Sequence, residues 1–410
     1  MEKYKKYKNS GIDWLLDEIP NHWETKRIKD LCKMQSGFYI SANDFQDEGF
    51  PIYGGNGFRG FSKDYNHNGE YTLIGRQGAL CGNVNYAKGK FWATEHAIVV
   101  YEKKRINKFW FGELLRLMNL NQYSLSAAQP GLSVEKIKRL KLPFIPKLKE
   151  QTEIANYLDA KTQTIDKKVK LLSEKISTYK DYRKTLINQT VTKGLDKNVS
   201  NWINYRLKNI GYLYSGLSGK SGNDFNQENN PNNKGFIPFT NIANNTYLNQ
   251  NHLGTVVIEE KEKQNQVKKN DIFFLMSSEG YEDIGKSAVL IDDIKETYLN
   301  SFCKGFRIIN NNCEASFINY LLLSDFYRQK MLVQGKGFTR INLKMEKINN
   351  FSILIPPTKK EQQAIANYLD AKTQTIDTII KNIENQITTL KELRKTLINE
   401  VVTGKVKITG

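Results

Sequence analysis

Histidine and cysteine are both scarce in this 410-residue chain, at four residues each. Cys32, Cys81, Cys303 and Cys313 form no C-x-x-C pair. That argues against the common zinc sites and a disulfide framework, and it fits a reducing cytosol; a cytoplasmic location is expected. His22, His67, His96 and His252 stand at no metal-ligand spacing, so no metal site is expected. No apolar run approaches the ~20 residues that span a bilayer. The opening MEKYKKYKNSG has no apolar h-region, so a signal peptide and a membrane association are not expected. Catalytic signatures are missing too. Gly219-Lys220-Ser221 tempts a phosphate-loop reading, but that motif needs glycine at position 214, where Tyr214 stands. There is no glycine-rich cofactor loop after a strand and no N/D-P-P-F/Y motif. Asn230-Pro231-Asn232 is an asparagine-rich loop. No catalytic residue is assigned.

What the chain has in excess is positive charge. The formal net charge is +18 and the isoelectric point about 9.4, a balance that favours an acidic polymer, most often nucleic acid. It also has repetition. IANYLDAKTQTID runs from Ile154 to Asp166 and again from Ile365 to Asp377, 211 residues on. Glu150-Gln151 answers Glu361-Gln362, and RKTLIN at Arg183–Asn188 answers RKTLIN at Arg394–Asn399. The chain is built twice from one plan.

The repeated segments read as long helices. Leu158, Ile165, Leu172, Tyr179 and Leu186 recur every seven residues in the first, and Leu369, Ile376, Ile383, Leu390 and Leu397 in the second. Val169, Ile176, Ile380 and Ile387 follow four residues after members of those rows. Such a stripe is a coiled-coil seam. Pro146 and Pro356-Pro357 mark the starts, and Gly194 and Gly404 the ends. Each seam is too narrow to stand alone in water, so each helix is expected to pair with the other. Two copies related by a two-fold axis across their length must run antiparallel. A run of about 40 residues gives a rod of roughly 60 Å.

Before each helix lies a globular segment of mixed character, at roughly residues 20–149 and 199–360. Both read as strands and loops with a few helices, Phe109–Leu120 and Ser316–Leu332 among them. Trp23-x3-Arg27-Ile28-Lys29 opens one and Trp202-x3-Arg206-Leu207-Lys208 the other; VEKIKRLKLPFIP and MEKINNFSILIPP close them. The expected class is α+β: two mixed α/β domains and two long helices paired as an antiparallel coiled coil with pseudo-two-fold symmetry. The expected domains are 1–149, 150–194, 195–360 and 361–410.

Four stretches carry a resemblance over essentially the whole chain: YKNSGIDWLLDEIPNHWETKRIKDL at Tyr7–Leu31, LPFIPKLKEQTEIANYLD at Leu142–Asp159, ILIPPTKKEQQAIANYLD at Ile353–Asp370 and LYSGLSGKSGNDF at Leu213–Phe225. With the order domain, helix, domain, helix, the chain resembles the specificity subunit of type I restriction–modification systems. The resemblance implies that each globular domain is a target-recognition domain reading half of a split duplex DNA sequence. The helices would be a ruler between the halves. The subunit would be non-catalytic and bind no cofactor. It would bind two methyltransferase subunits, which use S-adenosylmethionine to methylate adenine N6. Two restriction subunits with ATP and magnesium would complete the nuclease.

Reading DNA asks for basic and amide side chains on loops: arginine pairs with guanine, and asparagine or glutamine with adenine. In the first domain the candidates are Asn56, Arg59, Arg76, Gln77 and Gln129. In the second they are Lys220, Asn241, Ser278, Lys336, Thr339 and Arg340. Gln334–Asn342 and Ala128–Leu132 both precede the closing MEKI or VEKI stretch and occupy equivalent places. Phosphate contacts from the lysines should supply most of the affinity. The two domains differ in sequence, so the target should be bipartite and non-palindromic. Two other classes compete. A self-sufficient modification enzyme would methylate DNA without a partner. A scaffold for RNA would bind RNA and any duplex alike.

Overall fold

Proline sets where both long helices begin. In the computed structural model, which describes residues 2–15, 18–103, 105–124 and 130–408, the first long helix is Leu148–Lys193 and the second Lys359–Val402. Each starts two residues after its proline signal. Gly194 and Gly404 follow the ends with φ of 71° and 79°, the left-handed conformation that stops a helix and that glycine adopts without a Cβ penalty. At 46 and 44 residues, the helices are about 65–70 Å long.

The chain divides into two units, residues 1–173 with 384–410, and residues 174–383. Each contains one sheet-bearing head and one half of each long helix. In the first unit the described residues form a seven-stranded sheet. Its order is Cys32–Ser36, Ala97–Glu102, His67–Gly75, Val84–Ala93, Phe50–Gly54, Gly57–Ser62 and Phe45–Gln46. Pairing is antiparallel except between Phe50–Gly54 and Val84–Ala93. In the second unit a five-stranded sheet runs Gly211–Ser215, Cys303–Ile308, Ile272–Leu275, Ser287–Leu290, Tyr247–Leu248, beside a three-stranded one. The expected helix Phe109–Leu120 is Lys108–Leu117. The expected Ser316–Leu332 is two helices, Ala315–Leu323 and Asp325–Leu332, broken at Ser324, whose backbone is extended.

In both units the heads grip the helices by the same residues. Gln151 and Gln362 are fully buried. The Gln151 amide accepts from Asn107 N (2.8 Å) and donates to Ile145 O (2.7 Å). Gln362 accepts from Glu314 N (2.8 Å) and donates to Pro356 O (2.9 Å). One residue earlier, Glu150 accepts from the Trp23 indole (3.1 Å) and Glu361 from the Trp202 indole (3.2 Å). The duplicated Glu-Gln thus ties each helix start to its head. The same two tryptophans meet helix ends, since a Cβ on Gly404 would come within 2.9 Å of Trp23 and one on Gly194 within 3.2 Å of Trp202. The first head also recruits the termini. Tyr7–Asn9 pairs with Glu18–Pro20, and Lys407 N donates to Glu2 O (2.7 Å).

Within each unit the helix halves run antiparallel. In the first, Ile154, Ala155 and Leu158 share a core with Leu397–Val402, while Asp166 pairs with Arg394 (3.2 Å). In the second, Ile187 and Val191 share a core with Ile365–Leu369, while Arg183 pairs with Asp377 (3.2 Å). Every expected seam residue is buried or half-buried. The sequence reading missed the polar members of the stripe: Thr162 and Thr373, both buried, and Arg183 and Arg394, half-buried. These last two make interhelical pairs of the kind that fixes register.

Ile376, 4% exposed, sits in that seam, whereas Leu393 on the second helix is 52% exposed. Ile376→Ala is expected to cost about 2–4 kcal/mol and Leu393→Ala less than about 0.5 kcal/mol. Urea unfolding followed by circular dichroism compares them; equal midpoints would contradict the seam.

Candidate nucleic-acid interface

Three chain segments of the first head meet at Gly55. A Cβ there would lie 3.1 Å from Gln77 O and 3.3 Å from His96 O. Gly55 belongs to the tight turn joining Phe50–Gly54 to Gly57–Ser62, in which Gly57 has a φ of 92°. Arg76 N donates to His96 O (2.8 Å), and Leu132 N to Arg76 O (2.8 Å). Gln77 bridges to Gly131. The fold therefore brings Asn56, Arg59, Arg76 and Gln77 to one end of the sheet. Asn56 is exposed, with its Oδ1 accepting from Asn83 Nδ2 (3.0 Å). Arg59 is exposed, forms no ion pair among the described residues, and holds its guanidinium 6.0 Å from the Phe45 ring centre. A cleft of about 470 Å³ beside it is walled by Ile40, Phe45, Arg59, Glu95 and His96. Gln129 lies outside the described residues.

The second head repeats this main-chain frame with other side chains. Met276 N donates to Phe302 O (3.1 Å) and Leu343 N to Met276 O (2.8 Å), so Met276 stands where Arg76 does and Phe302 where His96 does. Ser277–Ser278 pairs with Ile341–Asn342. That brings Ser278, Lys336, Thr339 and Arg340 together. Ser278 itself is buried, with its Oγ accepting from Gly280 N (3.1 Å). Lys336, Thr339 and Arg340 are exposed. The Arg340 guanidinium lies 5.0 Å from the Phe302 ring centre and 3.7 Å from Glu279. Arg328 braces the neighbouring loop through Nη2 to Glu282 O (2.8 Å), and burial pulls its guanidinium below its usual pKa.

Two candidates are engaged elsewhere. Lys220 is nearly buried and paired with Glu262, whose carboxyl it holds below the usual range. Asn241 stands in the helix Phe239–Asn244 rather than in a loop, and its Nδ2 donates to His252 O. The candidate residues also left out exposed aromatics: Phe38, Tyr39 and Phe58 in the first head, Tyr281, Phe302 and Phe338 in the second. For Phe38, Phe58, Tyr281 and Phe338 the available signal was a glycine immediately before the ring.

The family described as type I restriction modification DNA specificity domain matches residues 20–175 and again 199–389. The chain belongs to this family. The matches fall one on each copy, so this specificity subunit carries two such domains. It is 44% identical over 163 residues to the EcoprrI specificity subunit of Escherichia coli, a stretch covering 38% of this chain and 40% of that protein. It is 25% identical over 382 residues to a putative type I specificity subunit of Haemophilus influenzae, covering 89% of each. Among solved structures, one described as concerning complex assembly and conformational transition of the type I system shares the fold with a TM-score of 0.73 at 15% identity, over 95% of this chain and 100% of that one. The subunit from Thermoanaerobacter tengcongensis matches at 0.54 and 15% identity, over 95% and 99%. No helix among the described residues is long and apolar enough to cross a membrane.

This end of the first head depends on close backbone approach. A Cβ on Gly75 would overlap the carbonyl of Gly55. Gly75→Ala is expected to destabilise this specificity subunit by about 1–3 kcal/mol and to expose the 75–82 loop. Limited proteolysis reads the second effect; unchanged cleavage there would contradict the packing.

Proposed function

We propose that this chain selects the DNA target of a type I restriction–modification enzyme and catalyses nothing itself. Residues 1–149 and 195–360 act as two target-recognition domains, each reading one half of a bipartite, asymmetric site. Residues 150–194 and 361–410 set the spacer. The observation that carries the reading is the contrast between diverged reading ends and identical helix surfaces. Asn156, Lys161, Gln163 and Thr164 are exposed, as are their counterparts Asn367, Lys372, Gln374 and Thr375. Packing inside the chain does not account for identity at exposed positions. Two equivalent surfaces suit two copies of one partner, the methyltransferase subunit, with two restriction subunits joining in the full assembly. S-adenosylmethionine, ATP and magnesium belong to those partners. The complex works in the cytoplasm.

On DNA, Asn56, Arg59, Arg76 and Gln77 read one half-site and Thr339 and Arg340 the other, with Lys336 on a neighbouring phosphate. Lys336→Ala should weaken binding equally on all sequences and reduce the salt slope by about 1. Arg340→Ala should cost about 1–3 kcal/mol on one half-site only. Binding isotherms at several salt concentrations separate the two outcomes, and loss of both half-sites would point to misfolding.

The decisive experiment compares N6-methyladenine across the genome with and without the gene. Loss of one split motif on deletion supports the reading. A purified chain that methylated DNA alone, or bound RNA and any duplex equally, would overturn it. Inserting one heptad after Lys175 and another after Gln386 lengthens each helix by about 10 Å. The spacer should grow by about three base pairs with both half-sites unchanged; an altered half-site would sink the ruler.

A further inference from the structure

Phe338 is the most exposed large apolar side chain among the described residues, at 104% of its reference area. It sits at the tip of a hairpin that is firmly tied at its base. Lys336 and Asn342 exchange both backbone hydrogen bonds (Lys336 N to Asn342 O 3.0 Å, Asn342 N to Lys336 O 2.9 Å). Ile341–Asn342 is itself paired to Ser277–Ser278. Gly337, with a φ of 140°, makes the turn, and a Cβ there would overlap Arg340 O. Arg340 is drawn aside over the Phe302 ring. The phenyl ring therefore projects alone from an anchored turn, with cations on both sides.

A whole aromatic ring held in water gains from any apolar contact. Its neighbours say which contact. Lys336 precedes it by two residues and Arg340 follows by two, in a chain of net charge +18, so the surface that meets the ring is anionic. Duplex DNA offers a phosphate for Lys336, a base edge for Arg340 and stacked base faces for the ring. Apolar wedges of this kind enter base steps in proteins that bend DNA. Base–aromatic stacking is worth roughly 1–3 kcal/mol per base, or about 5- to 150-fold in affinity.

We propose that Phe338 inserts between bases of the half-site read by the second head and locally unstacks them. The proposal rests on the DNA-reading function above. It applies to one half-site, because the residue 211 positions earlier, in the register that aligns Leu132 with Leu343, is Ala127. The site is thus distorted asymmetrically.

The test uses the chain assembled with its methyltransferase subunits, without S-adenosylmethionine, on target duplexes carrying 2-aminopurine at one step at a time, away from the methylated adenines. The wild-type complex should raise fluorescence at one step of the second half-site and at none of the first. Phe338→Ala should abolish that rise and weaken binding about 5- to 150-fold, leaving thermal stability unchanged; Phe338→Trp should keep both. Unchanged affinity in Phe338→Ala overturns the proposal. Weaker binding with no fluorescence rise in the wild type also overturns it, placing the ring against a base edge in the groove. Loss of assembly with the methyltransferase overturns it in favour of a protein contact. A wild-type complex with no preference for its target would instead refute the DNA-reading function, a distinguishable failure.

Discussion

One tryptophan in each head holds the start of one long helix beside the end of the other. Trp23 donates to Glu150 at the start of the first helix and lies against Gly404 beyond the end of the second. Trp202 donates to Glu361 at the start of the second and lies against Gly194 beyond the end of the first. Antiparallel pairing follows from this bracket, because each head receives opposite helix ends. The seam then has only to be long and apolar, and the pairs Asp166–Arg394 and Arg183–Asp377 select one register among the heptad slips that leucine and isoleucine alone would tolerate. Exposed ion pairs add little stability. Their value here lies in what a slipped register would break.

The brackets differ in how much they carry. Glu150 also accepts from Tyr4 Oη (2.9 Å) and meets His22 Nε2 (3.0 Å), so the first head gathers the N-terminal segment into the same carboxylate. In the second head the matching link is continuous chain, from Gly194 through to Trp202. That head instead clasps its helix further along: Asp370 accepts from Tyr247 (2.6 Å) and Tyr320 (2.7 Å). One plan thus survives with different local solutions, which is what a constraint on the frame, rather than on its contacts, produces.

The helices were legible because their signals are local and repeated: proline before, glycine after, apolar residues at four and seven. The fold class was legible through resemblance. The polar seam members were not, since threonine and arginine fit an apolar period only once the partner helix supplies a buried or charged neighbour. The reading loops were legible as loops where glycine forces them. That Lys220 and Asn241 are engaged within the head was not legible, because their partners Glu262 and His252 are 42 and 11 residues away and no pattern announces such pairs. Ser324 was missed because the helix-starting pair Ser324-Asp325 follows the apolar run ending at Leu323 without a glycine or proline to mark the break.

At the matching end of each head a single main-chain frame carries unlike side chains. Arg76 and Met276 make the same two main-chain hydrogen bonds, as donors to His96 and Phe302 and as acceptors from Leu132 and Leu343. Position and direction at the reading end are therefore set by N–H and C=O groups, which every residue but proline provides. The frame therefore accepts arginine or methionine at one position and histidine or phenylalanine at the other, although the Met276 side chain is itself buried in the second head's core. Burial tells the same story: the leucines that close the frame, Leu132 and Leu343, are buried and identical, while Gln77, Phe302 and Arg340 are exposed. Substitution at the exposed positions Gln77, Phe302 and Arg340 therefore leaves the main-chain frame intact, and the long helices need not change with it.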